Sequence, residues 1–250
     1  MINLKTTREL RYMRDAGKIS QEALLKAGEA VRPGVSTLEL DKIVRRTIEK
    51  AGAVPSFLGY GGFPASACIS VNNVVIHGIP SAHEILTEGD IVSIDVGAIY
   101  EGFNGDNAWT FPCGKVSEEA QKLMDATRES LFLAIEKAVP GNRIGDIGSA
   151  VQQYVEARNY SVVREFVGHG VGAKLHEDPS VPNYGTPGRG VRLLPGMTIA
   201  IEPMVTQGSC EVKILKDGWT TVTKDGKLAA HFEHSIAITP DGPVILTSLD

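Results

Sequence analysis

LTEGDIVSID, residues 86–95, falls over LLPGMTIAIE, residues 193–202, when the chain is slid along itself by 107 positions. Leu86 then meets Leu193, Gly89 meets Gly196, Ile94 meets Ile201, and the acids Asp95 and Glu202 stand in register. The same ungapped offset lays SQEALLKAGEAVRPG (20–34) over TRESLFLAIEKAVPG (127–141), where Glu22, Leu24, Ala27, Glu29, Pro33 and Gly34 meet identical residues. Two matches in one register point to a duplicated unit, approximately 20–106 and 127–213, inside a single domain of residues 1–250. The plain alternative is punctuation shared by any helix-turn-strand protein. Each half reads as a helix, a Pro-Gly turn, a second helix and then strands. Leu24, Ala27 and Val31 form one apolar stripe, Leu38, Ile43, Val44 and Ile48 a second, capped by Ser36 or Thr37. Strands are expected over CISVNNVVI (68–76), DIVSIDVGAIY (90–100), MTIAIEPMV (197–205) and HFEHSIAI (231–238), which are β-branched and alternating. Such a pair of halves puts a cleft at their junction.

Those strands carry the informative residues. Asp95, Glu202 and Glu233 sit between apolar neighbours, where an ionised carboxylate is costly unless something compensates it. Several acids converging predict a bound cation or raised pKa values. The duplication makes Asp95 and Glu202 mates, and Asp106 in FNGDN follows Asp95 at a hairpin spacing, although alone it reads as a turn aspartate. His169 in VGHGVG is left accessible by its glycines. Four carboxylates and an imidazole suit a pair of divalent ions such as Mn, Fe, Co or Zn, and a pair of this kind performs hydrolysis. His77, ending VVIHGIP, and His176 in KLHEDP are placed to donate to a carbonyl or an oxyanion; each alone reads equally well as a turn or cap residue. HEDP lacks the spacing of HExxH, and His83, His231 and His234 read as structural or exposed.

Composition removes other classes. Over 250 residues the chain is 42% hydrophobic with a net charge of −5, which gives no basic footprint for nucleic acid or anionic membrane. Three widely spaced cysteines, Cys68, Cys113 and Cys210, make neither a disulfide framework nor a zinc ribbon. Neither a signal peptide nor a long apolar run is present, so a cytoplasmic protein is expected.

Taken together, NNVVIHGIP (72–80), DIVSIDVGAIYEGFNGD (90–106), GHGVGAKLHEDP (168–179), IEPMV (201–205) and FEHSIAIT (232–239) closely resemble the motifs of type I methionine aminopeptidases. The resemblance runs from about Thr6 to Leu246 and fits the short bacterial form. It implies the α+β pita-bread fold, in which two αα-plus-sheet halves surround a curved antiparallel sheet. It implies metal ligands at Asp95, Asp106, His169, Glu202 and Glu233, catalytic roles for His77, His176 and Glu202, and a bridging hydroxide as nucleophile. The methionine pocket is implied at Tyr60, Phe63, Cys68 and Trp219, with His77 and His176 also touching substrate. Phe57, Gly61, Leu175 and Gly97 stand where members often carry cysteine, histidine, an aromatic residue and threonine; the first three bear on pocket shape, the last on support for Asp95. The implied activity is removal of the N-terminal methionine from nascent polypeptides when the second residue is small. No heptad seam or sticky edge argues against a monomer, which is the default expectation, and a transient ribosome contact stays open. Alternatives are a proline-directed aminopeptidase or prolidase of the same fold, and a pita-bread binding protein without activity.

Overall fold

A computed structural model describes residues 2–249. Four α-helices occur among them: α1 (Thr7–Glu29), α2 (Thr37–Lys50), α3 (Glu118–Glu136) and α4 (Ile144–Glu156). The strands of the first half are β1 (Val54–Pro55), β2 (Ala67–Val71), β3 (Val74–Ile76), β4 (Ile91–Tyr100) and β5 (Phe103–Pro112). Those of the second are β6 (Ser161–Val162), β7 (Gly168–Gly170), β8 (Glu177–Val181), β9 (Thr198–Ile201), β10 (Met204–Thr206), β11 (Val212–Ile214), β12 (Thr221–Thr223), β13 (Ala229–His231), β14 (Glu233–Thr239) and β15 (Gly242–Ile245). The main antiparallel sheet runs β1-β4-β5-β14-β9-β7-β8, with β2 also on β4 and β15 on β14. No helix among the described residues is long and apolar enough to cross a membrane.

Helix starts follow local chemistry. Thr6 and Ser36 cap α1 and α2 by accepting from the amides of Glu9 and Glu39, whose carboxylates return to the capping residues' own amides. Equivalent contacts recur 107 residues later. Gly34 donates to the Leu86 carbonyl and Gly141 to that of Leu193, both glycines having positive φ; bridges pair Ser36 with Ile85 and Arg143 with Arg192.

Alternation along the strands sorts residues between two faces. In β4, Val92, Ile94, Val96 and Ala98 join α1 and α2 in one core; in β9 and β14, Ile199, Ile201, Ile236 and Ile238 join α3 and α4 in another. The opposite face holds Ser93, Asp95 and Gly97 of β4, Asp106, Ala108 and Thr110 of β5, and Glu233 and Ser235 of β14. The hydroxyls of Ser93 and Thr110 bond across this face at 2.8 Å, and Ser235 donates to the Asp106 carbonyl at 2.8 Å.

Three expected strands are interrupted. The 68–76 run breaks at the Asn72–Asn73 turn, with Asn72 at φ 55°. The 197–205 run stops at Glu202, because Pro203 has no amide to continue the ladder. The 231–238 run divides at Phe232, whose side chain is buried in the helix-covered core. Asp106 does not lie in a turn: the hairpin closes at Glu101 and Gly102, both with positive φ, and Asp106 stands inside β5 opposite Gly97.

Helix α1 is seated on the sheet through two glycines, since a Cβ on Gly105 would lie 2.4 Å from the Gly17 nitrogen. Gly105→Ala is therefore expected to force the helix off β5 and destabilise the protein by roughly 1–3 kcal/mol, lowering Tm by roughly 2–12 °C. Scanning calorimetry checks this, and an unchanged Tm would contradict that close seating.

Candidate active site

The acids meet because each occupies the helix-free face of neighbouring strands. Asp95 of β4 and Glu233 of β14 are both register partners of Ala108, one from each side, while Asp106 is two residues away on the same face of β5. Ala108 is fully buried and carries only a methyl group between the two carboxylates. Glu202 follows the last residue of β9, whose Ile201 pairs with His234. Between two glycines of β7, His169 has its Nε2 3.7 Å from Asp106 Oδ2 and 3.5 Å from Glu202 Oε1.

Burial and like charge act together here. Desolvation, then the charges of Asp106 and Glu202, drive the Asp95 carboxyl well above its usual range. Glu233 is pushed up in the same way, by burial first and then by Asp106, Glu202 and Asp95. Asp106 is raised to about 7, with burial and Glu202 outweighing the opposing His169. Asp95 Oδ1, Asp106 Oδ1 and Glu233 Oε1 are buried without hydrogen-bond partners. Ligand atoms of Asp106, His169 and Glu233 lie within 4.8 Å of one another, and so do those of Glu202, His231 and Glu233. Orphaned buried carboxylate oxygens beside an imidazole are a donor set that fits divalent metal.

Glu202 behaves differently from its mates. Burial raises its pKa, but His231, His169 and His77 outweigh that and hold it below the ordinary value, so it is ionised at neutral pH. His231 was expected to be structural or exposed; instead it is 1% exposed with Nε2 3.5 Å from Glu202 Oε2, too long for a hydrogen bond, and neither ring nitrogen has a partner. Its visible signal was position: in HFEH, His231 shares the alternation parity of Glu233. His234 is buried and its Nδ1 meets the Thr247 hydroxyl, while His83 is exposed.

Beside the acids opens a cavity of about 140 Å³ lined by Phe57, Tyr60, Phe63, Cys68, His77, Leu175, His176 and Trp219 together with all five acid and imidazole candidates. The lining includes Tyr60, Phe63, Cys68 and Trp219 and also Phe57 and Leu175, two of the positions named for their bearing on pocket shape. Cys68 enters as the register partner of Asp95. Phe63 meets Trp219 edge-on at 5.2 Å, and His77, at φ 59°, stands edge-on to Trp219 and Phe166. The His176 ring centroid lies 4.2 Å from that of His169 with the planes tilted by 60°, and its Nδ1 lies 2.7 Å from the Tyr60 hydroxyl. Although His176 stays open at the cavity mouth, desolvation of its ring and then the charge of His169 depress it to about 4. A Cβ on Gly97 would fall 2.7 Å from both Phe57 Cε1 and Ser56 Cβ, so the neighbouring side chains at 56 and 57 together exclude one at 97.

The sequence profile of metallopeptidase family M24 matches residues 11–240. The chain belongs to metallopeptidase family M24. A protein of Clostridium perfringens named methionine aminopeptidase is 59% identical over 99% of both chains, and methionine aminopeptidase 1 of Bacillus subtilis is 54% identical over the same shares. Among solved structures, methionine aminopeptidase from Thermotoga maritima superposes with a TM-score of 0.98 at 47% identity, covering 99% of this chain and 100% of that one. Prolidase from Pyrococcus furiosus covers 99% of this chain and 66% of that one at a TM-score of 0.77 and 23% identity, which shares the fold alone. The M24 chain thus has the pita-bread fold expected from its motifs.

The acid cluster gives a pH signature. An acid whose folded pKa exceeds its unfolded value binds protons more tightly when folded, so its stabilisation is complete below the unfolded value, about 3.9 for Asp. For Asp106 that contribution is lost as pH rises toward and past about 7. In chelator, Tm is expected to fall from pH 5 to pH 8, to fall less in Asp106→Asn, and to recover on adding Mn. Calorimetry across that window checks it; a Tm that rises with pH, in chelator, would contradict the mutual repulsion.

Proposed function

We propose that this M24 protein removes the N-terminal methionine from nascent polypeptides whose second residue is small. The observation that carries the reading is a single cavity in which an apolar pocket adjoins a cluster of acids and imidazoles. Relatives named methionine aminopeptidase, 44–59% identical over the full chain, support the same activity here. Residues 1–250 act as one catalytic domain and as a monomer in the cytoplasm. Free thiols at Cys68, Cys113 and Cys210 agree with a reducing compartment.

Asp95, Asp106, His169, Glu202 and Glu233 would hold two divalent ions, drawn from Mn, Fe, Co or Zn: Asp106, His169 and Glu233 form one compact donor group, Glu202 and Glu233 fall with His231 in a second, and Asp95 adds an unpartnered buried oxygen. Ions of this class supply Lewis acidity that acidifies water and polarises the scissile carbonyl.

The chain's own residues do the rest. Phe63, Cys68 and Trp219 offer aromatic faces and a soft sulfur to a thioether, with Tyr60 at the rim. Glu202, kept ionised by His231, His169 and His77, takes a proton from the attacking water and returns it to the leaving amine. A Tyr60 hydroxyl donating to His176 Nδ1 leaves the proton on Nε2, and this neutral imidazole donates it as a hydrogen bond to the carbonyl oxygen as it turns tetrahedral. His77, depressed chiefly by burial, orients the peptide on the leaving side as a neutral ring.

The test uses chelator-treated protein, with Met-Ala-Ser and Ala-Pro-Ser as substrates and Mn or Co restored. Free methionine is expected only with metal, Ala-Pro-Ser should stay intact, and Asp106→Asn should be silent. Glu202→Gln is expected to lower kcat by about 10²–10⁴-fold. Cleavage of Ala-Pro-Ser instead would replace this reading with a proline-directed one, and no cleavage of either with metal bound would leave a binding protein.

A further inference from the structure

Lys5 lies in the segment before α1, and its Nζ is 2.5 Å from Glu177 Oε2 across 172 residues of chain, with side chains 6% and 8% exposed. Both ends of this contact are fastened to backbone. The Lys5 amide donates to the Gly196 carbonyl at 2.7 Å, and the next residue is the Thr6 cap of α1. Glu177 Oε1 accepts from the Lys174 amide at 3.1 Å, so one carboxylate spans the tail and the 172–177 turn. The turn closes on itself through the Gly172 amide and the Lys174 carbonyl, and the Gly172 carbonyl accepts the Asn104 amide at 2.9 Å and its side-chain nitrogen at 3.0 Å. The turn also wraps the lysine stem, because a Cβ on Gly172 would lie 2.5 Å from Lys5 Cε and 2.6 Å from Glu177 Oε1.

His176 is the peptide neighbour of Glu177 and projects from this turn toward the cavity. Besides the Tyr60 hydroxyl, itself exposed, the ring's placement beside His169 depends on backbone held by the Asn104 bonds to Gly172, by the pairing of Glu177 with Gly170 and by the Glu177 carboxylate. We propose that Lys5 is a positioning residue for catalysis: its ammonium, clamped on Glu177, holds the 172–177 turn so that the His176 ring faces the scissile carbonyl. This rests on the role given to His176 above.

The physical reason is the cost of an unpaired buried charge. With Lys5 removed, the Glu177 carboxylate is left desolvated without its cation. It gains most by swinging to solvent, which releases the Lys174 amide and lets the turn shift. A displacement of about 1 Å at a reacting group is enough to cost about a hundredfold in rate. Neutralising Glu177 at the same time removes that drive.

The experiment is a double-mutant cycle on the metal-loaded enzyme with Met-Ala-Ser, following kcat, KM, Mn binding by calorimetry, and Tm. Lys5→Met is expected to lower kcat by about ten- to a hundredfold, with KM and Mn stoichiometry within about twofold. In a His176→Ala background the same change should lower kcat by less than about twofold, and Lys5→Met with Glu177→Gln should recover most of the lost kcat. Effects of Lys5→Met and His176→Ala that multiply, or a Lys5→Met enzyme that loses Tm but keeps kcat, would overturn the proposal. A His176→Ala enzyme with unchanged kcat would instead remove the role assigned to His176, which separates the two failures.

Discussion

Like charges crowded on one buried sheet face govern this molecule. Asp95, Asp106 and Glu233 stand on neighbouring strands of the main sheet, Glu202 follows directly on β9, and desolvation alone would favour protonating all of them. The other face of the same strands is filled by the helix-covered cores, so the acids cannot turn away without exposing Ile94, Val96, Ile199 or Ile236. Alternation therefore locks the acids in place, and the hydrophobic effect supplies the energy that opposes their repulsion. A cation is the response that relieves the strain without undoing the fold.

Much of this arrangement can be read from the chain. Period-2 alternation through IVSIDVG and TIAIE marks acids on the face away from the apolar residues, and the 107-residue offset relates two such strands before any coordinates are known. What escapes reading depends on side chains meeting across distance. Pro203 and Phe232 interrupt long β-branched runs, and only the packing of Phe232 into the α3–α4 core shows why the second break falls where it does. His231 looks like one more strand residue until β13, ending beside β14, brings its ring against Glu202. The Phe57–Gly97 pairing is likewise invisible along the chain, because 40 positions separate a ring from the glycine that makes room for it.

That pairing changes how the pocket is understood. Bulk at Phe57 stands beside Leu175 in one small cluster with Phe63, Ala65 and Cys68, so the apolar wall is a packed unit rather than a set of independent contacts. Gly97 lies two residues from Asp95 on the same face and opposite Asp106. The Phe57 ring and the Ser56 side chain together fill the space a side chain at 97 would need, and one Asp95 oxygen is buried without a donor.

The two halves repeat their backbone contacts, yet their acids are not in equivalent states. Asp95 and Glu202 occupy corresponding positions 107 residues apart, and Asp95 is driven up while Glu202 is held down. Burial is common to both, so it cannot separate them. The difference comes from their neighbours: Asp95 faces other carboxylates, whereas Glu202 is ringed by His231, His169 and His77, two of which the second half supplies. Two carboxyls whose surroundings push their proton affinities apart are suited to different tasks, one to binding charge and one to carrying a proton. A symmetric scaffold becomes directional when imidazoles from both halves gather around one of its two corresponding acids.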